Sequence, residues 1–261
     1  MRTTFAAALA ALLAAVAVMP AAAQAAPAKP DFVAILKAID QMNDFSGTDF
    51  TGVFTIVSDK PDGAAGKVVQ TVTQVRMFRR DAKKQFLMLM QLPEVNRGQG
   101  YLKEGDNLFM YDPTSRKFTH STMKETLNES EAQNADFGQR TILDDYDILG
   151  GEAGMLGKFP VWVISLKAKT NDVSYDMVKL YVRQDQPLVL KQEDLSVSGR
   201  LMRTTLYPKY ANIGNGRFFP SQMLIVDELN PGEKSQVTMT ELSTAPLSDK
   251  VFTKAFLEQA N

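Results

Sequence analysis

A single histidine, His120, and the complete absence of cysteine leave almost nothing in this chain from which to build a metal or nucleophile centre. A zinc site draws its ligands mainly from histidine and cysteine, and His120 stands alone in the run Lys117-Phe118-Thr119-His120-Ser121, where it reads as a surface residue of a strand. No G-x-S-x-G elbow, P-loop or G-x-G-x-x-G turn occurs, so hydrolase, nucleotide and dinucleotide chemistry lack their motifs. The densest carboxylate group is Asp144-Asp145 with Asp147. Paired carboxylates can serve as acid and base in glycoside hydrolysis. Neighbouring residues of a helix point apart, however, and acidic residues favour the positive end of a helix; the group reads as a solvated helix start. The expectation is a non-enzyme with no metal and no cofactor.

The apolar residues carry more information. Thirteen methionines, fifteen phenylalanines and one tryptophan are present, and many alternate with polar residues at strand spacing: Phe86, Met88 and Met90; Phe109 and Tyr111; Trp162, Ile164 and Leu166. Methionine is flexible and polarizable, which suits a wall that accepts variable apolar ligands, although buried methionine is also ordinary core. Alternation defines two faces without saying which one is concave.

The elements that position these residues are mostly strands. Pro27 and Pro30 mark an extended linker. Phe32, Ile35, Leu36, Ile39 and Met42 then recur at helical spacing behind Asp31, giving a short amphipathic helix. From residue 51 to residue 242 the period is two. Turn signals such as Gly105-Asp106, Asp112-Pro113, Ser198-Gly199, Asn215-Gly216 and Pro231-Gly232 separate roughly a dozen strands of an antiparallel meander. No helix-length pattern lies between successive strands, which argues against a parallel α/β sheet. Residues 124–158 break the rhythm, with a short helix expected around Ile142, Leu143, Tyr146 and Leu149; a connection of that length is a functional flap or is partly disordered. A final amphipathic helix is expected after Ser248, carrying Val251, Phe252, Phe256 and Leu257.

The first residues set the compartment. Arg2 precedes an apolar run from Phe5 to Met19, followed by Pro20 and Ala23-Gln24-Ala25, the order of a cleavable secretory signal. The run is short of the roughly 20 apolar residues that a spanning helix needs, and a lipid anchor at the cleavage point would require a cysteine. Residues 1–25 are therefore expected to be a signal peptide and residues 26–261 a single exported domain. With 29 Lys plus Arg against 30 Asp plus Glu, no basic footprint for nucleic acid or anionic membrane is present.

Four blocks in this order resemble the LolA-like outer-membrane lipoprotein-sorting family, in its longer, divergent branch: LPEVNRGQGYLKEGDNLFMYDPTSRKF at 92–118, DFGQRTILDDYDI at 136–148, VKLYVRQDQPLVLKQEDLSVSGRL at 178–201 and FFPSQMLIVDEL at 218–229. The resemblance implies a mainly β (α+β) fold: a strongly curved antiparallel sheet forming an incomplete β-barrel of about 11 strands with short lid helices. It also implies a soluble periplasmic monomer that binds lipid or lipoprotein acyl chains in an apolar cavity and ferries them toward the outer membrane. Phe86, Met88, Met90, Phe109, Tyr111, Trp162, Ile164 and Leu166 are the cavity candidates. Phe32, Ile35, Leu36, Ile39, Leu143 and Tyr146 are lid candidates, and the segment at 248–258 agrees with a further lid helix. In the family an arginine of the sheet bonds the lid, for which Arg76, Arg79 and Arg97 are the candidates here. Partners implied by the branch are an inner-membrane lipid transporter and an outer-membrane acceptor. The alternative is a non-enzymatic adaptor that docks on such a transporter or envelope complex.

Overall fold

The computed structural model describes residues 30–62, 66–139 and 141–260; the expected signal peptide at 1–25 lies outside them. Asp31 starts helix α1 (Phe32–Met42) by accepting a hydrogen bond from the Ala34 N–H at 3.0 Å, which satisfies one of the donors a helix start leaves open. Leu36 and Ile39, on one stripe of the helix, are buried.

The chain then makes a meander of β1 (Phe50–Asp62), β2 (Lys67–Arg80), β3 (Gln85–Leu92), β4 (Gly100–Glu104), β5 (Asn107–Asp112) and β6 (Lys117–Ser121). After a long connection and the short α2 (Ile142–Asp145), a second meander follows: β7 (Tyr146–Leu156), β8 (Phe159–Ala168), β9 (Met177–Arg183), β10 (Val189–Leu195), β11 (Leu201–Asn212), β12 (Phe218–Asp227) and β13 (Lys234–Ser243). The two meanders join where β13 pairs with β1, giving one antiparallel sheet of 13 strands with β6 and β7 at its edges. The sheet is strongly curved and does not close. Breaks in register punctuate it, between Gln74 and Val75, Ile148 and Gly150, Val189 and Lys191, and Leu206 and Tyr210. Such irregularities bend a strand and raise its twist.

Curvature gives the two faces different fates. On the inner face, Phe54, Val75, Met88, Ile164, Leu180, Met223 and Val237, from seven different strands, share one buried cluster with Leu36 and Ile39. On the outer face a smaller cluster joins Leu87, Leu102 and Tyr111 to Phe252 and Leu257. The last helix, α3 (Lys254–Gln259), lies over this outer cluster, so the expectation of a C-terminal lid is corrected. Its apolar side needs cover, and the outward-facing Phe78 ring meets Phe256 edge-on at 6.0 Å.

The segment expected to be helical around residues 142–149 is also corrected. Only Ile142–Asp145 is helical, and Tyr146 begins edge strand β7, the addition that takes the sheet to 13 strands from the dozen read by pattern and the 11 implied by resemblance. Gly150, Gly151 and Gly154 weaken any helix there, and pairing along β8 supplies the competing hydrogen bonds.

Candidate functional site

Between the inner face of the sheet and the elements covering it lies a cavity of about 730 Å³, within the roughly 300–1,000 Å³ range of small-molecule sites. Leu166 of β8, Val178 and Leu180 of β9, Met223 of β12 and Met239 of β13 line it from the sheet, with Phe86 of β3; Ile39 and Met42 of α1, Ile142 of α2, and Met123 and Ala135 of the long connection line it from above.

The connection between β6 and α2 must travel from one edge of the sheet to the other, and it does so across the inner face. Asn128 donates from Nδ2 to the Thr73 hydroxyl on β2 at 3.1 Å, the Glu131 N–H donates to Ser235 Oγ on β13 at 2.8 Å, and Arg203 on β11 donates from Nη2 to Asp136 Oδ2 at 2.6 Å. Leu127, Ala132 and Phe137 are buried in the inner cluster. The segment read as a flap is thus an ordered strap.

Arg203 sits at the centre of a polar wall. It faces Asp194 directly across the β10–β11 ladder, and Gln192 donates to Asp194 at 2.7 Å. Asp136 also accepts from the Gln133 N–H, and the Gln133 side chain donates to the Tyr175 hydroxyl at 3.1 Å. Burial alone would push the Arg203 guanidinium down, but Asp136 and Asp194 hold it well above its ordinary value; it stays charged. Burial raises the Tyr175 phenol, opposed by Arg203. At the lip beside the strap, burial pushes the Asp145 carboxyl up, opposed by the hydrogen bond from Thr141 and reinforced by Asp144.

A second set of bonds holds α1. Arg79, buried on β2, donates from Nη2 to the Asn43 carbonyl at 2.9 Å and from Nη1 to Asn43 Oδ1 at 3.2 Å, while Nε and Nη2 engage Asp81 at 3.0 and 2.6 Å. Arg217 donates to the Asp44 carbonyl at 2.5 Å. Carbonyls at the end of a helix have no internal partner, and these two arginines occupy them and the turn that follows. The Asp40 carboxylate in turn accepts from the N–H groups of Ile142 and Leu143 at 3.0 and 3.2 Å, tying α2 to α1.

The residues singled out from sequence fall into distinct places. Phe86 and Leu166 line the cavity, as do Ile39, Tyr146 and Arg79. Met88, Met90 and Ile164 are buried on the same face within the packed cluster. Trp162 is half-buried there and meets the Phe32 ring edge-on at 6.1 Å; with Ile35 it borders a separate recess of about 260 Å³. Phe32, Ile35, Leu36, Leu143 and Tyr146 all pack in or against the inner cluster. Phe109 and Tyr111 lie on the other face: Phe109 stacks near His120 under the Lys254 ammonium, and Tyr111 belongs to the outer cluster. Their chain neighbours Leu108 and Met110 on β5 face inward instead, so a one-residue offset separates the expectation from the structure. Arg79 contacts the helix end, whereas Arg76 pairs with Glu241 and Arg97 with Glu94, both at exposed positions.

Sequence reading passed over Arg203, Asp136 and Asp194. Arg203 shares strand parity with inward-facing Tyr207, and a charged residue in an inward row is the signal that was available. Among the described residues one carboxylate group has metal-like spacing, Glu131 with Asp227 and Glu233. The Lys60 ammonium lies 3.5 Å from Glu131 and 3.2 Å from Glu233, supplying the positive charge.

The open, strongly curved antiparallel sheet is similar in fold to solved structures of the LolA superfamily. A family model described as "-like: Uncharacterized protein" matches residues 82–259, more than half of the chain, and the chain belongs to that family. No curated protein matches it. Among solved structures it is similar to a LolA superfamily protein from Nitrosomonas europaea, with 24% identity and a TM-score of 0.72 over 86% of this chain and 98% of that one. A DUF1329 family protein from Desulfovibrio piger gives 18% identity and 0.72 over 86% and 98%. A domain assigned as an outer membrane lipoprotein-sorting protein from Vibrio parahaemolyticus gives 15% and 0.71 over 87% and 98%. At these identities the likeness is one of fold.

Proposed function

We propose that this protein is a non-enzymatic carrier that shelters the acyl chains of a lipid or lipoprotein in its inner cavity and conveys them across the periplasm toward the outer membrane. The observation that carries the reading is the cavity itself, floored by Leu166, Leu180, Met223 and Met239 and roofed by α1, α2 and the strap. Each methylene moved from water into such a space recovers about 0.8 kcal/mol, so an acyl chain is held by apolar contact without any covalent chemistry. The likeness in fold to a lipoprotein-sorting domain supports the same reading. No helix among the described residues is long and apolar enough to cross a membrane, and the secretory pattern at residues 1–25 supports export. An inner-membrane lipid transporter as donor and an outer-membrane acceptor complete the proposal, with the protein acting as a monomer.

Mass spectrometry of organic extracts from protein purified without detergent out of its native periplasm tests it. A defined lipid at about one per protein is the expected result. A folded protein that carries none and takes up none would overturn the reading in favour of an adaptor.

A further inference from the structure

One end of the cavity gathers three cations, Arg79, Lys84 and Lys103, of which the two lysines have no ion-pair partner among the described residues, with Asp81 and Asp106 lining the same end. On the inner face a row crosses four strands: Arg79 pairs with Phe86, Phe86 with Lys103 and Lys103 with Leu108. Arg79 is neutralised by Asp81, whose carboxylate is fully engaged by that guanidinium and by the Phe45 N–H. Lys103 has no such partner: among the described residues no carboxylate lies within ion-pair distance of it, although it is half-buried and lines the cavity. Lys84, held in the turn before β3 with φ of 51°, lines the same end, also without an ion-pair partner among the described residues.

An ammonium moved out of water without a partner is costly, and the protonation balance shows the cost. Burial pushes the Lys103 amine below its ordinary value, with Lys84 and Arg79 adding to the depression and Asp106 opposing it. An anion placed here would offset the like-charge contribution and favour the charged amine. The adjoining Phe86 ring begins the apolar wall, so a negative head at the lysines leaves its chain pointing into the cavity.

We propose that Lys103 and Lys84 form the head-group site for an amphiphile with an oxyanion head, a carboxylate or phosphate, whose chain fills the cavity. The inference rests on the carrier reading and gives it a substrate class.

The test uses two intrinsically fluorescent probes with the same chain, cis-parinaric acid and its uncharged methyl ester, titrated into the lipid-free protein. The acid is expected to bind about tenfold more tightly than the ester, equivalent to about 1.4 kcal/mol, with the margin shrinking at high salt. Lys103→Met should erase the margin while keeping the native far-UV circular dichroism and cooperative urea unfolding that show the variant is folded; Lys103→Arg should keep the margin. Equal affinity of the two probes for the native protein, or an acid preference that survives Lys103→Met combined with Lys84→Met, would overturn the head-group site while leaving the carrier intact. Failure of both probes to bind would overturn the carrier reading itself. Displacement of the acid by micromolar inorganic phosphate would assign the lysines to a free anion and overturn the amphiphile.

Discussion

Arg203 and Asp136, 67 positions apart in the chain, meet at 2.6 Å across the inner face, joining the middle of the sheet to the strap that crosses it. Both side chains are largely removed from water. Removing one member of a buried ion pair leaves the other uncompensated, at a cost of about 3–5 kcal/mol. Arg203→Met should therefore destabilise the protein by an amount of that order in urea. Hydrogen exchange should accelerate first at Leu127 to Phe137, and uniform acceleration over the whole sheet would count against a local strap.

Arg79 distinguishes itself from the other arginines of the sheet by where its bonds go. Arg79→Met leaves buried Asp81 unpaired and frees the Asn43 carbonyl, so a loss of about 3 kcal/mol is expected, with faster exchange at Phe32 to Phe45. Arg97→Ala removes an exposed pair and should cost under about 0.5 kcal/mol. Equal effects of the two substitutions would show that α1 is not held by Arg79.

Leu166 borders the cavity, whereas Ile164, two residues earlier on the same strand, is enclosed by the core. Leu166→Trp has empty volume to enter and should change stability by less than about 1 kcal/mol, while Ile164→Trp should cost about 1–3 kcal/mol from overpacking. Only the first should block uptake of cis-parinaric acid while the fold stays intact. Unimpaired uptake by Leu166→Trp would mean that cargo sits elsewhere.

The Asp145 carboxyl is pushed up chiefly by burial. The folded protein therefore keeps that proton to a higher pH than the unfolded chain does, and stability falls as pH rises between the ordinary carboxylate value and the raised one. Asp145→Asn should be more stable than the native protein at neutral pH, with the two denaturation curves converging below the ordinary carboxylate value. A variant less stable at neutral pH would assign Asp145 a structural role through Thr141 instead.

Leu257, buried under the outer face, offers a control on the cavity. Leu257→Ala should cost about 2–5 kcal/mol because it opens a hole beside Gly100, where a Cβ would already fall 2.4 Å from the Leu257 side chain. Probe affinity of the folded fraction should be unchanged. A lowered affinity would couple the outer cluster to the cavity.

The sequence by itself determined all the strands but β7, their antiparallel order and α1, because these rest on local terms: period-two alternation, turn residues tolerant of positive φ and the Asp31 cap. Alternation set Phe86 and Leu166 each on one face of its strand, and the structure puts both on the inner face beside the cavity. Parity cannot say which face is concave, however, so Phe109 and Tyr111, with the same alternation, went to the wrong side. Only the tertiary structure decided that, since the bend of the sheet depends on register breaks between paired strands and on the joining of β13 to β1, neither of which alternation shows. The same holds for the strap and for α3. Residues 122–139 carry no period of their own, and their path is fixed by partners on β2, β11 and β13. The apolar stripe of α3 says that it must be covered, and only the packed sheet says by which face.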